Sequence, residues 1–114
     1  PIIRNDLVGA WFEKWAIRRL SWSAKPWEES AESVKSYINF LNEEAGEEQE
    51  LFISCVHGHV NIKKVAETFN WKLIYSLACC EPHKQLPDMP EMIEEGHDWS
   101  VLSPQRKYRL YFKN

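Results

Sequence analysis

Long hydrophobic runs are missing from this sequence of 114 residues. The longest apolar run, Leu73 to Cys80, has eight residues and includes Ser76, far short of the ~18 consecutive apolar residues of a membrane span. The N-terminal residues also lack the basic stretch followed by an apolar stretch that marks a signal peptide. These absences predict a protein that has no membrane partner and stays in the cytoplasm.

Cysteine is scarce as well, with three residues, Cys55, Cys79 and Cys80. Adjacent cysteines rarely bridge each other, because disulfide geometry needs two Cα atoms farther apart than consecutive residues allow. An odd count with one adjacent pair therefore excludes a disulfide-stapled miniprotein and favours reduced thiols in a cytosolic compartment.

An excess of positive charge is also missing, since 14 Lys and Arg stand against 17 Asp and Glu, for a formal net charge of −3. Nucleic acid is therefore not an expected partner. The chain is 44% apolar and 27% charged, as in soluble globular proteins, and its length fits one domain over 1–114. Tryptophan is abundant instead, with six residues.

Hydrophobic patterns along the chain predict strands and helices in turn. Apolar positions at helical spacing over 27–45 form one stripe of an amphipathic helix that Gly46 would end. The run at 51–56 is almost wholly apolar, as in a strand buried on both faces. Over 81–104, four prolines predict a long loop, with one helical turn around 89–95. The other predicted elements are strands at 10–20, 71–79 and 108–112 and a short helix at 62–69.

The resulting order is strand, helix, strand, helix, strand, loop, strand. Such alternation predicts the α/β or α+β class. We expect a single small domain with a mixed sheet of about four strands and two helices packed on it.

Short sequence pieces stand in a characteristic order along this pattern. They are Ala10-Trp11-Phe12, Arg19-Leu20-Ser21, the long helix, Leu51 to Val56, Asn61-Ile62-Lys63, Thr68 to Trp71 and the closing Tyr108 to Phe112. In this order they resemble the C-terminal half of GNAT-type N-acetyltransferases, most closely the acetyltransferase-like proteins of T7-type phage virions.

The chain departs from that family where the family binds and activates its cofactor. In the family, a glycine-rich turn before the long helix holds the coenzyme A pyrophosphate on helix N–H groups. Residues 20–27 have no glycine, Trp22 and Trp27 would crowd the backbone, and Pro26 removes one N–H donor. Ala66 stands where the family often has a catalytic Tyr. The resemblance therefore implies an acetyltransferase scaffold without catalysis, reused for binding.

Our first hypothesis is a non-catalytic module that binds another protein, as a phage virion component or an inhibitor of a host protein in the host cytoplasm. Residues 28–50 hold eight Glu against one Lys, which forms either an acidic docking surface or an ordinary solvated helix face. Tryptophans in loops are either binding anchors or folded back on the sheet. The candidate partner-binding residues are Trp22, Trp27, Glu28, Glu32 and Trp99.

An active acyl-coenzyme A-dependent transferase is the second hypothesis, and it alone requires a cofactor, acetyl-coenzyme A. Ser23, Trp27 and Asn61 would then contact the cofactor, and His57 or His59 would act as the base, because histidine titrates near neutral pH. A hydrolase lacks a recognisable nucleophile motif here. A tautomerase that uses the amine of Pro1 is disfavoured, because Arg4-Asn5-Asp6 breaks the alternation of its first strand.

A small zinc protein is the third hypothesis. All seven Cys and His residues fall between 55 and 97, and both are zinc ligand types. His57, Cys80 and His83 are the candidate ligands, provided that the strands carrying them are neighbours. The alternative is that these residues are unrelated and that no metal binds.

Overall fold

The computed structural model describes residues 2–4, 20–22, 26–56, 58–102 and 104–114, with the backbone alone for the first two ranges. The chain divides into two compact units, residues 1–49 and 50–114. In chain order the described elements are β1 (Ile2–Arg4), β2 (Leu20–Trp22), α1 (Trp27–Ala45), β3 (Phe52–Val56), α2 (Ile62–Thr68), β4 (Leu73–Leu77), α3 (Pro82–Gln85), β5 (Met92–His97) and β6 (Lys107–Phe112).

The first unit contains a parallel pair of short strands and the long helix. β1 pairs with β2, with Ile2 opposite Leu20. The predicted strand at 10–20 lies outside the described residues except for its last residue. The predicted helix over 27–45 is confirmed in full as α1.

Gly46 ends α1 as predicted. Its φ of 72° is in the left-handed region, and its backbone N–H donates to the carbonyl of Glu43. Glycine is favoured here because it has no Cβ to clash in that conformation. Glu28 and Glu29 lie in the first turn of the helix, where negative charge complements the helix dipole.

The second unit is built on a four-stranded mixed sheet with the strand order β3-β4-β6-β5. β3 and β4 are parallel, with Phe52 opposite Leu73, whereas β6 runs antiparallel to both of its neighbours. This arrangement confirms a mixed α and β fold with a sheet of four strands, accompanied by three described helices where two were expected.

The core of the second unit forms where α2 crosses from β3 to β4. Ile62 on α2 packs with Trp71, Ile74 and Tyr111 in a buried cluster. Asn61 begins α2, because its side chain accepts a hydrogen bond from the Lys64 backbone N–H at 3.3 Å, as N-cap residues do. Trp71, the first residue of the strand predicted over 71–79, is thereby buried in the core.

The expectation that residues 51–56 are buried on both faces is wrong. Phe52 is 63% exposed and Val56 is 58% exposed, whereas Ile53 and Cys55 pack against the core cluster. The side chains alternate between the two faces of the sheet, and the described core covers the face that carries Ile53 and Cys55. Only one face of β3 meets the described core, although its composition is apolar on both.

The expectation of a loop over 81–104 is wrong for two parts of that segment. Residues Pro82–Gln85 form α3, and Met92–His97 form β5. The predicted helical turn around 89–95 is replaced by this strand, because β5 pairs antiparallel with β6, from Met92 opposite Tyr111 to His97 opposite Lys107. Pro82 occupies the first turn of α3, where its missing N–H costs nothing.

None of the helices in the described part of the chain combines the length and the apolar character that crossing a membrane requires.

Candidate metal centre

Two loops meet at one edge of the sheet in the second unit. Because β3 and β4 are parallel, their carboxyl ends lie side by side, and the segments that follow them begin close together. His59 follows β3, and Cys79 and Cys80 follow β4. The ligand atoms of these three side chains all lie within 4.8 Å of one another.

The spacing of the three donor atoms matches the edges of a zinc tetrahedron. Nε2 of His59 lies 3.5 Å from Sγ of Cys79 and 3.6 Å from Sγ of Cys80, and the two sulfurs are 3.7 Å apart. Ordinary zinc bonds of ~2.3 Å to sulfur and ~2.0 Å to nitrogen give edges of about 3.8 Å between sulfurs and about 3.5 Å between sulfur and nitrogen. One ion therefore fits all three donors at their present spacing.

The cluster lies near the surface. Cys79 is half-buried, whereas Cys80 and His59 are exposed. An ion can reach these ligands from solvent, and small ligands in solution can reach the ion.

The two thiols differ in acidity. The hydrogen bond from Gln85 lowers the pKa of Cys79, and the hydrogen bond between the two thiols, followed by burial, raises the pKa of Cys80. Cys79 therefore loses its proton first. Since the thiolate is the form that binds a metal, metal binding would displace the thiol protons, more easily from Cys79 than from Cys80.

A carboxylate contacts the imidazole ring of His59. Oε2 of Glu81 lies 3.4 Å from Nδ1 of His59, and the pKa of Glu81 is lowered, first by its hydrogen bond with Lys84 and also by His59. A carboxylate on Nδ1 favours the tautomer with the proton there, which leaves Nε2 free to bind an ion. Nε2 is also the nitrogen that lies closest to Cys79.

The predicted metal ligands are brought together only in part. Cys80 belongs to the cluster, whereas His57 lies outside the described residues. His83 is exposed on α3 and does not join the described cluster. Cys79 was not among the predicted ligands, and His59 was predicted as a base, because the parallel pairing of the strands before them became visible only in the structure.

The residues expected to hold acetyl-coenzyme A or a protein partner are spread over both units. Ser23 lies outside the described residues, and for Trp22 the structure describes the backbone alone. Trp27 is half-buried, and Asn61 is engaged in capping α2. Glu28 and Glu32 are both exposed on α1.

Of the two predicted tryptophan anchors whose side chains the structure describes, Trp27 and Trp99, the more accessible is Trp99. It lies after β5 and is 74% exposed. Its ring stacks on His97, with ring centres 5.9 Å apart, and the guanidinium of Arg106 lies 5.1 Å from the ring centre. The indole is therefore exposed and also held in place by its neighbours.

Compared with known proteins, the chain matches no family model, no curated protein and no solved structure. The resemblance to N-acetyltransferases therefore stays a prediction, and a functional proposal has to rest on the geometry of the second unit.

Proposed function

We propose that this protein binds a thiophilic divalent metal ion, zinc, through His59, Cys79 and Cys80. One observation carries the proposal: the three donor atoms are spaced at 3.5, 3.6 and 3.7 Å, like three corners of a zinc tetrahedron. Thiolate and imidazole are the ligands that favour zinc over magnesium or calcium.

The ion would join the loop after β3 to the turn after β4. His59 would bind through Nε2 while Glu81 holds Nδ1, and Cys79 and Cys80 would bind as thiolates. The described residues supply three donors, and a zinc ion completes its four-fold coordination with water or one further donor.

Titration of the metal-free protein with Co²⁺ tests this proposal, because thiolate-bound Co²⁺ absorbs strongly in the near ultraviolet. We expect one ion per chain with thiolate absorption, and competition by Zn²⁺. His59→Ala, Cys79→Ser and Cys80→Ser should each weaken binding by about a hundred-fold or more, since even residues behind the ligands contribute ten- to hundred-fold.

The chain offers matched controls for each ligand type. Cys55→Ser removes a thiol that lies outside the cluster, and His83→Ala removes an exposed imidazole outside it. Both should bind Co²⁺ like the wild type. His57→Ala tests separately whether that residue contributes. Absence of binding by the wild type, or equal loss in the controls and the ligand variants, would overturn the proposal.

We propose protein binding as a second function, the one that the resemblance to acetyltransferase-like phage proteins implies. The observation that favours it is Trp99, which is 74% exposed and stacked between neighbours. A large aromatic side chain that is already ordered loses little entropy on binding, which suits it as an anchor. Trp22, Trp27, Glu28 and Glu32 remain proposed contacts of the same module.

Capture of proteins from a bacterial host lysate tests this second function. Trp99→Ala should lose the captured partner while its melting temperature stays within about 2 °C of the wild type, because the side chain is exposed. Leu102→Ala is the matched control, since Leu102 is 98% exposed and nearby in sequence. Equal capture by both variants would contradict a role of Trp99.

A further inference from the structure

Gln85 is a buried amide that contacts both loops of the metal centre. Only 1% of the residue is exposed. Its Oε1 accepts hydrogen bonds from the backbone N–H groups of Cys79 at 2.9 Å and Glu81 at 3.3 Å. Its Nε2 donates to the carbonyl of Gly58 and to Sγ of Cys79 at 3.1 Å. The side-chain amide thus forms hydrogen bonds, through both its donor and its acceptor atoms, with residues that are proposed metal ligands or lie next to them.

The main chain of Gln85 is itself held firmly. Its carbonyl accepts a hydrogen bond from Oγ of the buried Ser76 at 2.6 Å, and its N–H donates to the carbonyl of Glu81 at 3.1 Å. Ser76 lies on β4, so the amide is fixed relative to the sheet. A side chain that is buried, hydrogen-bonded and fixed at its base has little freedom to move.

We infer that Gln85 is the positioning residue of the metal centre, setting the distance between the histidine loop and the two cysteines. The inference rests on the proposed function. Gly58 immediately precedes His59, and Gln85 ties its carbonyl to the turn that carries both thiols. Metal sites need such a shell of partners, because ligands that are already oriented do not have to be ordered when the ion binds.

The same contacts make the two thiolates unequal. Cys79 receives an N–H hydrogen bond from Gln85, whereas Cys80 is exposed and contacts His59 and Cys79. In the loaded site, Cys79 would be the fixed sulfur ligand and Cys80 the more accessible one.

Variants of Gln85 separate positioning from a general contribution to stability. Gln85→Ala removes every side-chain hydrogen bond. Gln85→Glu retains acceptors for the two backbone N–H groups but places an oxygen against Sγ of Cys79 and the carbonyl of Gly58. Tyr111→Phe is the matched control, because it removes a buried hydrogen bond of the same unit, from the Tyr111 hydroxyl to the carbonyl of Pro87 at 2.8 Å, that does not involve Gln85.

Titration of the full chain with Co²⁺ tests the inference. Gln85→Ala should weaken binding by about ten- to hundred-fold, the range for residues behind metal ligands, with one ion per chain and unchanged thiolate absorption per bound ion. Gln85→Glu should weaken Co²⁺ binding at least as much as Gln85→Ala does. It provides the same test if Gln85→Ala does not fold. Tyr111→Phe should lower the melting temperature but bind Co²⁺ within about two-fold of the wild type. Binding by both Gln85 variants within two-fold of the wild type would overturn the inference.

Amide hydrogen exchange in the metal-free protein distinguishes failure of this inference from failure of the proposed function. A wild type that binds no Co²⁺ overturns zinc binding alone. The inference is then tested by the exchange rates of the Cys79 and Glu81 amides, which should rise in Gln85→Ala. The amide of Leu86, which donates to the carbonyl of Pro82 at 2.7 Å, should stay protected. If the amides of Cys79 and Glu81 stayed equally protected in Gln85→Ala, the positioning role of Gln85 would be contradicted, whether or not the protein binds metal.

Discussion

At the scale of single residues, Tyr111 shows how one buried group links the sheet to the segment before β5. No part of it is exposed, and its hydroxyl donates to the carbonyl of Pro87 at 2.8 Å. Burial raises the pKa of Tyr111 to about 12, above the value of ~10 in an unfolded chain. The folded state therefore retains the phenol proton at a pH where the unfolded state has lost it.

This difference predicts a loss of stability at alkaline pH. The contribution of Tyr111 is complete below pH ~10 and is lost as the pH rises towards about 12, because only the unfolded state is then deprotonated. Tyr111→Phe should cost about 1–3 kcal/mol at neutral pH, since the carbonyl of Pro87 loses its partner. It should also reduce the decline in stability above pH ~10. Urea unfolding at neutral and alkaline pH measures both effects, and an unchanged decline would contradict the role of this phenol.

The residues that could be predicted from the sequence are those whose role depends on near neighbours. The apolar spacing after Asn61 predicted the short helix, and the apolar run after Trp71 predicted the next strand, so a local pattern was sufficient for both elements. The pairing of His59 with Cys79 depends on two loops that are 20 residues apart. Only the parallel register of β3 and β4 brings them together, and a local pattern does not contain that register.

At the scale of elements, both ends of α1 were predictable to the residue, because its apolar stripe, its length and the glycine at its end, Gly46, all indicate the same helix. β5 was missed because residues 92–97 are mostly exposed, so they carry little hydrophobic pattern. β3 illustrates the converse, since its apolar sequence did not reveal that the strand lies at an end of the sheet. Composition reports the propensity of a segment, whereas burial depends on its neighbours in space.

The end of α1 carries a prediction of its own. A Cβ added at Gly46 would meet no atom within 4 Å, so the cost of Gly46→Ala arises only from the left-handed φ of 72°. We expect a loss of about 1 kcal/mol, and a smaller loss for Gly46→Asn, because asparagine tolerates this conformation. Urea unfolding followed by circular dichroism measures the difference. Equal stability of the alanine and asparagine variants would contradict the assignment.

At the scale of the whole molecule, all the described donors of the metal centre belong to one unit, residues 50–114. The helix end at Gly46 belongs to the other unit. Gly46→Ala should therefore lower stability while its affinity for Co²⁺ stays within about two-fold of the wild type, because none of the described donors lies in residues 1–49.

Zinc should stabilise the fold by mass action. At a free zinc concentration one hundred times the dissociation constant, the free energy of unfolding should rise by about 2.7 kcal/mol. Unfolding in urea with zinc and with EDTA measures this gain, and His59→Ala should abolish it. A gain of equal size in His59→Ala would show that the ion acts elsewhere on the chain.

The crossover from β3 to β4 has a consequence for the unfolded chain. His59 and Cys79 are 20 residues apart, and the segment between them contains α2 together with Ile62, Trp71 and Ile74 of the core. An ion that stayed bound at both ends during unfolding would close this segment into a loop and restrict its unfolded ensemble, much as a disulfide around a loop of similar length contributes roughly 3 kcal/mol. The mass-action gain would then be smaller than for an ion that leaves on unfolding. All three cysteines are free thiols, so the cross-link would be reversible, forming and opening with the supply of metal.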